Sequence, residues 1–260
     1  MHPRKIGERN PTPIRFSICT LVTDSNEYQG MIDSAKLAGF VGDDVEYLYS
    51  DNSKGNTFDG FSGFNQFHLE AKGQYLIYCH QDILFEFDDR SILESRIAAL
   101  DVLDSNWAIA GNAGKKHSGE KSVRISDPLT VNLSHGVFPS LVQTMDENFM
   151  VFDRQKPLSC TRTLSGFHLY GTDLCLNAEY LGYSCYVIDF HLRHKSKGNP
   201  DEGYFSIQSE FMALLKSRKK SLVIHAMCSR FYVSSSGFKM WLVNRKWLLN
   251  LHKSISKKRQ

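Results

Sequence analysis

The chain has 260 residues, a length that can form one large domain, or one domain with an appendage, around an ample hydrophobic core. Its 42% hydrophobic and 23% charged residues are typical of a soluble globular protein. The net charge of +3 is too small to indicate nucleic-acid binding by itself, and we expect no nucleic-acid partner.

The cysteines and the N-terminus indicate a compartment. The six cysteines are scattered and form no C-x-x-C pair, which speaks against a zinc finger or a disulfide framework and favours a reducing compartment. Residues 1–5 lack the apolar stretch of a signal peptide, and no run approaches the ~20 apolar residues of a transmembrane helix. We expect a cytoplasmic protein, either soluble or peripheral on the inner face of the cell membrane.

After a polar arm over residues 1–13, the first part of the chain alternates strands and helices. Strands are predicted at Phe16–Val22, Val45–Tyr49 and Tyr75–Cys79, and helices at Tyr28–Leu37 and Phe64–Ala71, the first with Ser25 or Asn26 as its N-cap. Strands that alternate with helices in this order predict a parallel sheet with right-handed crossovers.

The second part of the chain is less regular. We predict a helix at Ser91–Leu103, a strand at Trp107–Gly111, a polar excursion or mobile loop over 112–128, paired strands at Leu141–Met145 and Phe149–Phe152, a helix within Phe167–Gly182, a strand at Tyr186–Phe190 and a helix over 204–217. The turn between the paired strands is Asp146-Glu147-Asn148.

The buried run Tyr75–Cys79 ends abruptly in His80-Gln81-Asp82. Open α/β sheets bind ligands at the carboxyl ends of their strands, and a buried ionised carboxylate such as Asp82 needs a partner or a metal. The alternative is that Asp82 only forms an Asx turn. Two further polar clusters, Thr23-Asp24 and Asp51-Asn52-Ser53, follow parallel strands and should gather at the same edge, and a fourth, His191 to His194, follows the last strand.

Glycine-rich phosphate loops are absent from the sequence. Neither G-x-x-x-x-G-K-[ST] nor G-x-G-x-x-G occurs, which excludes the obvious P-loop and Rossmann cofactor sites. If a nucleotide binds at this sheet edge, the negative charge of its diphosphate has to be compensated. Because the sequence has no glycine-rich loop to bind the phosphates, a divalent metal held by Asp82 is the natural way to neutralise that charge.

Several motifs, taken together in their order, resemble a known family. They are the Phe16–Val22 strand, Asp51-Asn52-Ser53, Ala71–Tyr75, His80-Gln81-Asp82, Phe167–Leu176 and His194–Gly198. The chain resembles the GT-A-fold glycosyltransferases of the family-2 type, and is most similar to the bacterial branch linked to capsule and surface-polysaccharide synthesis, in which His-Gln-Asp replaces the usual Asp-x-Asp. The resemblance covers about residues 14–200.

The resemblance implies a fold and a domain division. The expected fold is α/β and GT-A-like, with a mostly parallel mixed sheet flanked by helices and a C-terminal helical extension. The glycosyltransferase domain would cover residues 14–200 and the basic, aromatic extension residues 201–260. The implied reaction is a metal-dependent, inverting transfer of a sugar from a nucleotide-sugar donor, a UDP-sugar above all, to a saccharide or lipid-linked acceptor.

The resemblance also implies site residues. Asp51 would read the base of the donor, and the nucleotide-sugar site would consist of Thr23, Asp51, Asn52, His80, Gln81 and Asp82. Asp82 and His194 would hold the divalent metal, Mn²⁺ or Mg²⁺. Asp173 would be the general base, and Asp146 and His168 would contact the acceptor.

Other interpretations of these residues stay open. Two departures from the family pattern are His80, in place of the first aspartate, and Thr172-Asp173, which keeps one carboxylate where two are usual. Asp173 could instead interact with the helix dipole, and the remaining candidates could be turn, surface or core residues. At the level of function, the alternatives are a sugar nucleotidyltransferase and a catalytically degenerate sugar-nucleotide-binding protein.

The C-terminal tail is basic and aromatic, and no Asp or Glu follows Glu210. From Phe231 onward, aromatic residues and leucines, including Trp241 and Trp247, are interleaved with lysines and arginines. This pattern is typical of a segment that binds an anionic membrane surface. It equally fits a segment whose apolar side chains pack on the catalytic domain.

Overall fold

The computed structural model describes residues 13–197, 202–218, 221–225, 227 and 229–245. Its strands are β1 (Phe16–Val22), β2 (Val45–Asp51), β3 (Tyr75–Cys79), β4 (Ile83–Leu84), β5 (Trp107–Gly111), β6 (Ala113–Lys115), β7 (Lys121–Ser126), β8 (Leu133–His135), β9 (Ser140–Leu141), β10 (Thr144–Met145), β11 (Phe149–Asp153), β12 (Ser184–Val187), β13 (Leu192–His194), β14 (Leu222–His225) and β15 (Arg230–Val233). Its helices are α1 (Ser25–Leu37), α2 (Gly60–Glu70), α3 (Arg90–Leu103), α4 (Tyr170–Tyr180), α5 (Glu202–Arg218) and α6 (Gly237–Val243).

The main sheet has seven strands in the order β2-β1-β3-β11-β5-β12-β9. β1 pairs in parallel with both β2 and β3, and β12 pairs in parallel with β5, whereas β11 runs antiparallel between β3 and β5. The predicted α/β fold, with a mostly parallel mixed sheet accompanied by helices, is therefore confirmed. Because β1, β2 and β3 are parallel, their carboxyl ends meet at one edge of the sheet.

A second sheet replaces the excursion expected over residues 112–128. Its order is β10-β6-β7-β13-β4, with β8 paired to β7 on the side. β6 and β7 form an antiparallel hairpin that covers most of the region expected to be a loop. That expectation was wrong because Lys121–Ser126 buries small polar residues, Ser122 and Ser126, so that the strand has no apolar alternation to read.

The strands predicted to pair around Asp146 do not pair with each other. β10 pairs with β6, and the short β9 pairs with β12. β11 instead lies in the centre of the main sheet, where all five of its residues are buried. A continuous apolar run such as Phe149–Phe152 is typical of a central strand, which the local hairpin interpretation overlooked.

Several boundaries differ for local reasons. Helix α1 begins after Asp24, whose carboxylate accepts from the backbone N–H groups of Asn26 and Glu27, so Asp24 is the N-cap in place of Ser25 or Asn26. Helix α2 begins at Gly60, earlier than predicted, because Asp59 and Ser62 form a capping box. The last strand of the main sheet is displaced toward the N-terminus, to Ser184–Val187.

The core of the main sheet contains large aromatic side chains. Phe16, Trp107 and Phe149 are fully buried, and the Tyr75 ring stacks on Trp107 with 6.0 Å between their centroids. Burying side chains of this size stabilises a fold by about 1.5–3 kcal/mol each. Phe16, Tyr75 and Trp107 begin their strands and so lie at the edge of the sheet opposite to the polar clusters, whereas Phe149 pairs with Cys79 at the edge that carries them.

The chain divides into two units, the second of which begins at Gln208. This second unit contains most of helix α5, an antiparallel hairpin of β14 and β15, and the short helix α6. It therefore contains strands as well as the expected helices. The predicted boundary after residue 200 stays a prediction. No helix in the described part of the chain combines the length and the apolar character needed to span a membrane.

Candidate metal and ligand site

Polar side chains from three parallel strand ends meet in a cavity of about 610 Å³. Thr23 follows β1, Asn52 follows β2, and His80 follows β3, and all three line this cavity, which we call the first cavity. His168 and Tyr170, at the start of helix α4, close it on another side. The sequence prediction that these clusters converge on one edge therefore agrees with the geometry.

A group of three metal-binding side chains lies at this edge. One ligand atom each from His80, Asp82 and His194 lies within 4.8 Å of the other two. His194 Nε2 is 3.3 Å from Asp82 Oδ1, and His80 Nδ1 is 3.9 Å from the same oxygen. We call this group the His-Asp-His triad. It unites Asp82 and His194, expected to hold metal, with His80, expected to contact the nucleotide sugar.

Strand pairing explains why residues far apart in sequence meet here. Asp82 lies between β3 and β4, and the antiparallel pairing of β4 with β13 sets His194 opposite Ile83. The backbone N–H of Lys195 donates to the carbonyl of Asp82 over 3.0 Å, which continues the same register. Two strands of only a few residues therefore bring the carboxylate and the imidazole together.

The electrostatics of the triad favour a cation. Burial raises the pKa of Asp82, but the hydrogen bond and charge of His194 outweigh burial and lower that pKa to about 2. Burial and the neighbouring His194 lower the pKa of His80, which leaves its imidazole neutral at pH 7. For His194, burial lowers the pKa, but the hydrogen bond and charge of Asp82 outweigh it and raise the pKa. An ionised carboxylate beside two imidazoles is a donor set that binds divalent metals.

A hydroxyl group contacts each of the two histidines. The Tyr170 hydroxyl lies 3.2 Å from His80 Nε2, and the Ser196 hydroxyl lies 3.1 Å from His194 Nε2. For His80 this nitrogen is the one that does not face Asp82, and a hydrogen bond there fixes the orientation of an imidazole ligand. For His194 the hydroxyl lies beside Nε2, the same nitrogen that faces Asp82. Neither Tyr170 nor Ser196 was predicted to be a site residue, although both lie within the motifs that carry the family resemblance.

Gln81 and Thr23 are bonded to each other. Gln81 Oε1 accepts from the backbone N–H groups of Thr23 and Asp24 at 2.8 and 3.0 Å, and Gln81 Nε2 donates to Thr23 Oγ1 over 2.8 Å. The amide thus ties the end of β1 to the segment after β3. Both residues line the first cavity, and their mutual bonds shape its wall.

The side chains of Asp51 and Asn52, at the end of β2, lie in different environments. Asn52 is buried, and its side chain organises the following loop by donating to the Phe58 carbonyl and accepting from the Thr57 N–H. Asp51 is exposed and forms an Asx turn with Ser53, the alternative stated above. Asp51 lines a separate depression of about 570 Å³ that shares Thr23 and Asp24 with the first cavity.

A second cavity of about 590 Å³ lies on the other side of His168. It contacts Asp146 and Glu147, the triad residue His194, and the face of the second sheet formed by β6 and β7. His168 lines both cavities and packs edge-to-face on Tyr204, with 5.7 Å between the ring centroids. The two residues expected to contact the acceptor, Asp146 and His168, therefore border one cavity.

Asp173 does not face either cavity. Its side chain is fully buried, and its oxygens accept from the N–H of Thr161 (2.6 Å), the hydroxyl of Thr161 (2.7 Å) and the amide of Asn177 (3.1 Å). The carboxylate thus ties the loop around Thr161 to helix α4. With no exposed oxygen it is badly placed to take a proton from an acceptor, which speaks against its expected role as the general base.

Glu147 is a carboxylate of the acidic turn, which was expected at most to face the acceptor and for which no catalytic role was predicted. Its Oε1 accepts from the backbone N–H of Gly171 at 3.1 Å, and its half-buried side chain lines the second cavity. Burial and the adjacent Asp146 carboxylate raise the pKa of Glu147 to about 8. Carboxyl groups with raised pKa values in clefts are typical of acid–base sites. The signal in the sequence was the acidic pair Asp146-Glu147, of which only Asp146 was chosen.

The comparison with curated proteins shows the family. The chain is 35% identical, over 236 residues, to the protein described as ATP synthase subunits region ORF 6 of Fuscovulum blasticum. The match covers 88% of this chain and 94% of that protein. The chain therefore belongs to the same family as this protein. No family model matches the sequence.

Solved structures are similar in part. The mannosyltransferase PcManGT from Pyrobaculum calidifontis, in complex with GDP-Man and Mn²⁺, matches with a TM-score of 0.49 and 11% identity over 84% of this chain and 68% of that one. GalNAc-T7 with UDP, GalNAc and Mn²⁺ matches with a TM-score of 0.49 and 10% identity over 75% of this chain. TarS of S. aureus in complex with UDP-GlcNAc matches with a TM-score of 0.47 and 11% identity over 74% of this chain. The chain spans 48% of the GalNAc-T7 chain and 61% of the TarS chain, about half or more of each.

Proposed function

We propose that this protein is a metal-dependent glycosyltransferase of the GT-A-like type, which transfers a sugar from a nucleotide-sugar donor to an acceptor. The observation that carries the proposal is the His-Asp-His triad, because it lies where the first and second cavities meet. His80 and Asp82 line the first cavity, and His194 lines the second. A reaction between two substrates at a shared metal site needs this arrangement.

The donor set of the triad suits a divalent cation such as Mn²⁺. Asp82 is ionised over the whole physiological range, and the Tyr170 hydroxyl orients the His80 ring from the nitrogen that does not face Asp82. When bound there, the cation supplies positive charge that offsets the charge of a leaving diphosphate. The chain itself offers the anion Asp82 where a glycine-rich phosphate loop is absent from the sequence.

The first cavity is the proposed donor site. Thr23 and Gln81 build one wall through their mutual hydrogen bonds, and Asn52 holds the loop after β2 at the rim. Asp51 lies in the adjoining depression, beyond Thr23, where the base of an extended nucleotide would reach. We prefer a UDP-sugar as the donor because the family resemblance implies one.

Glu147, rather than Asp173, is the proposed general base. The acceptor hydroxyl gives its proton to the Glu147 carboxylate as its oxygen bonds to the anomeric carbon. The bond from that carbon to the diphosphate oxygen breaks, and its electron pair leaves with the nucleoside diphosphate. Attack from the second cavity on a donor in the first cavity displaces the leaving group from the opposite face, which inverts the anomeric centre.

A catalytically degenerate binding protein is the second candidate. The observation that favours it is the enclosure of Asp173, which leaves the resemblance without an exposed carboxylate at its expected position. Such a protein would bind nucleotide sugars through the first cavity and transfer nothing. Glu147 is the residue that separates the two candidates, because it gives the second cavity a carboxylate able to accept a proton.

Surface-polysaccharide synthesis and membrane contact belong to the same proposal. The family resemblance points to the capsule-linked branch, and the basic tail would bring the site close to a lipid-linked acceptor. In helix α6 the Phe238 side chain is 71% exposed and that of Trp241 58%, and Arg245 lies 4.1 Å above the Trp241 ring. Trp247 and the remaining lysines lie outside the described residues. Truncation after Ser236 should abolish sedimentation with anionic liposomes, whereas an insoluble product would indicate core packing.

Product analysis tests the function. The full chain is incubated with UDP- and GDP-sugars, with and without Mn²⁺, and the released products are separated. Mn²⁺-dependent release of a nucleoside diphosphate supports the transferase. A second incubation contains a nucleoside triphosphate and a sugar 1-phosphate in place of the nucleotide sugars, and release of pyrophosphate there would indicate the nucleotidyltransferase instead. Binding of the nucleotide sugar without turnover would indicate the degenerate protein.

A further inference from the structure

Two lysines face each other across the hairpin of the second sheet. Lys115 of β6 and Lys121 of β7 are directly opposite in the antiparallel register, and both are exposed. Like charges directly opposite on neighbouring strands destabilise a sheet. Their neighbour Lys116 has a partner, since its Nζ lies 3.0 Å from Glu120 Oε2. For Lys115 and Lys121, the described part of the chain provides no such ion pair.

Both lysines line the second cavity. Because side chains alternate along a strand, Lys115 shares a face with Ala113, and Lys121 shares a face with Val123 and Ile125. These apolar residues line the cavity as well. The cavity thus has an apolar wall with two cations at one end.

The acidic end of the second cavity lies beside Ala113, two residues before Lys115 in strand β6. The backbone N–H of Asp146 donates to the carbonyl of Ala113 over 2.9 Å. Ala113 precedes Lys115 by two positions, which corresponds to roughly 7 Å along a strand. If the reacting hydroxyl of a ligand lies beside Glu147, a second group of the same ligand, about one sugar ring away from that hydroxyl, would therefore reach the two lysines.

We propose that Lys115 and Lys121 form a subsite for a phosphoryl group of the acceptor substrate. The inference rests on the proposed function and names its acceptor class: a phosphorylated sugar or lipid-linked sugar. Two adjacent ammonium groups match the double negative charge of a phosphate monoester or a diphosphate better than the single charge of a carboxylate. Bound phosphate would also remove the repulsion between the two strands.

The carboxylates in the same cavity do not neutralise this pair. Asp127 follows the opposite end of β7 and accepts from the backbone N–H groups of Leu129 and Thr130 at 2.8 and 2.7 Å. Asp146 accepts from Asn148. The cavity is therefore acidic where a hydroxyl would react and cationic where a phosphate would bind.

A binding experiment without donor or metal tests the subsite independently of catalysis. Glucose 1-phosphate and glucose are titrated by calorimetry into the full native chain, the double variant Lys115→Gln/Lys121→Gln and the control Lys116→Gln. We expect the native chain and the control to prefer the phosphorylated sugar, and the double variant to lose at least ~10-fold in affinity for it. Equal affinities in the native chain and the double variant, or no preference for the phosphorylated sugar, would overturn the proposal.

Two further measurements distinguish lipid-linked from soluble phosphorylated acceptors, and the phosphate subsite from the proposed transferase activity. Tighter binding of farnesyl monophosphate than of glucose 1-phosphate, two phosphate monoesters of equal charge, would assign the subsite to lipid-linked acceptors, and the reverse order would assign it to soluble sugar phosphates. In either case the affinity must depend on the two lysines. If this dependence is observed while no nucleotide sugar is turned over, the subsite stands and only the proposed transferase activity fails.

Discussion

Gly171 and Glu147 share one small volume at the wall of the second cavity. The Gly171 N–H donates to Glu147 Oε1 over 3.1 Å, and a Cβ at position 171 would lie 2.6 Å from the Met145 carbonyl and 3.3 Å from Glu147 Oε1. A glycine at this helix start therefore leaves the room that the glutamate carboxylate occupies. The backbone donor fixes the direction in which the carboxylate points.

Replacing Gly171 by alanine should displace the Met145–Glu147 segment. A Cβ 2.6 Å from a backbone oxygen cannot be accommodated without movement. We expect kcat to fall by ~10-fold or more, since a displacement of about 1 Å at a reacting group can cost far more. Steady-state kinetics with the acceptor measure this effect, and a Gly182→Ala variant, at a surface turn, controls for loss of stability alone. Native kcat in the first variant would show that the position of Glu147 is unimportant.

Glu147→Gln should lower turnover by ~10²-fold or more while donor binding changes little, because the amide keeps the shape but accepts no proton. Because the base has to be ionised, the native rate should rise with pH up to about 8, the pKa of Glu147. The variant should lack this rise. Rate profiles between pH 5 and 10 measure it, and an unchanged profile in the variant would assign the base to another group.

The same substitution should stabilise the fold at alkaline pH. The pKa of Glu147 rises from 4.5 to about 8 on folding, so the folded chain holds this proton more tightly than the unfolded chain. The stability gained in this way is complete below pH 4.5 and is lost as the pH rises through about 8. At pH 9, Glu147→Gln avoids this loss, and we expect its Tm to exceed the native one by about 2–4 °C, or about 1 kcal/mol. Thermal melts at pH 5 and pH 9 measure it, and a Tm advantage at neither pH would contradict the raised pKa.

Asp173→Asn tests the role first expected for that residue. Asparagine cannot accept all three hydrogen bonds that Thr161 and Asn177 donate to the native carboxylate. A buried donor left unsatisfied costs about 1–3 kcal/mol, so the melting temperature should fall. Turnover per folded molecule, measured well below that temperature, should stay within ~3-fold of native if Asp173 only anchors the loop. A drop of ~10²-fold with native stability would restore Asp173 as the base.

The sequence predicted the central strands of the main sheet better than the short strands of the second sheet. The bounds of β1, β3 and β5 agree with the structure to the residue. β3 and β5 are unbroken runs buried on both faces, and β1 is mostly apolar with Ser17 and Thr20 buried within it. The second sheet escaped prediction because β6, β10 and β13 have only two or three residues each, too few for any periodicity. Their pairing partners are non-local, and only tertiary structure selects them.

In the candidate site, too, residues at strand ends could be predicted from the sequence, whereas residues positioned by loops could not. The convergence of Thr23, Asn52 and His80 could be predicted, since parallel strand ends share an edge. The orientation of Asp173 could not, because its partner Thr161 lies in an irregular loop without a pattern. Glu147 depends on the bond to Gly171 across a separation of 24 residues.

The most direct test of the central claim is manganese binding by the His-Asp-His triad. Electron paramagnetic resonance can count free and bound Mn²⁺ in the presence of UDP, for the native chain, for Asp82→Ala and for the control Glu70→Gln, an exposed carboxylate that lines neither the first nor the second cavity. We predict one tightly bound Mn²⁺ per native chain, unchanged in the control, and a loss of at least ~10-fold in affinity in Asp82→Ala. Equal Mn²⁺ affinity in Asp82→Ala and the native chain, with both proteins folded, would contradict the account.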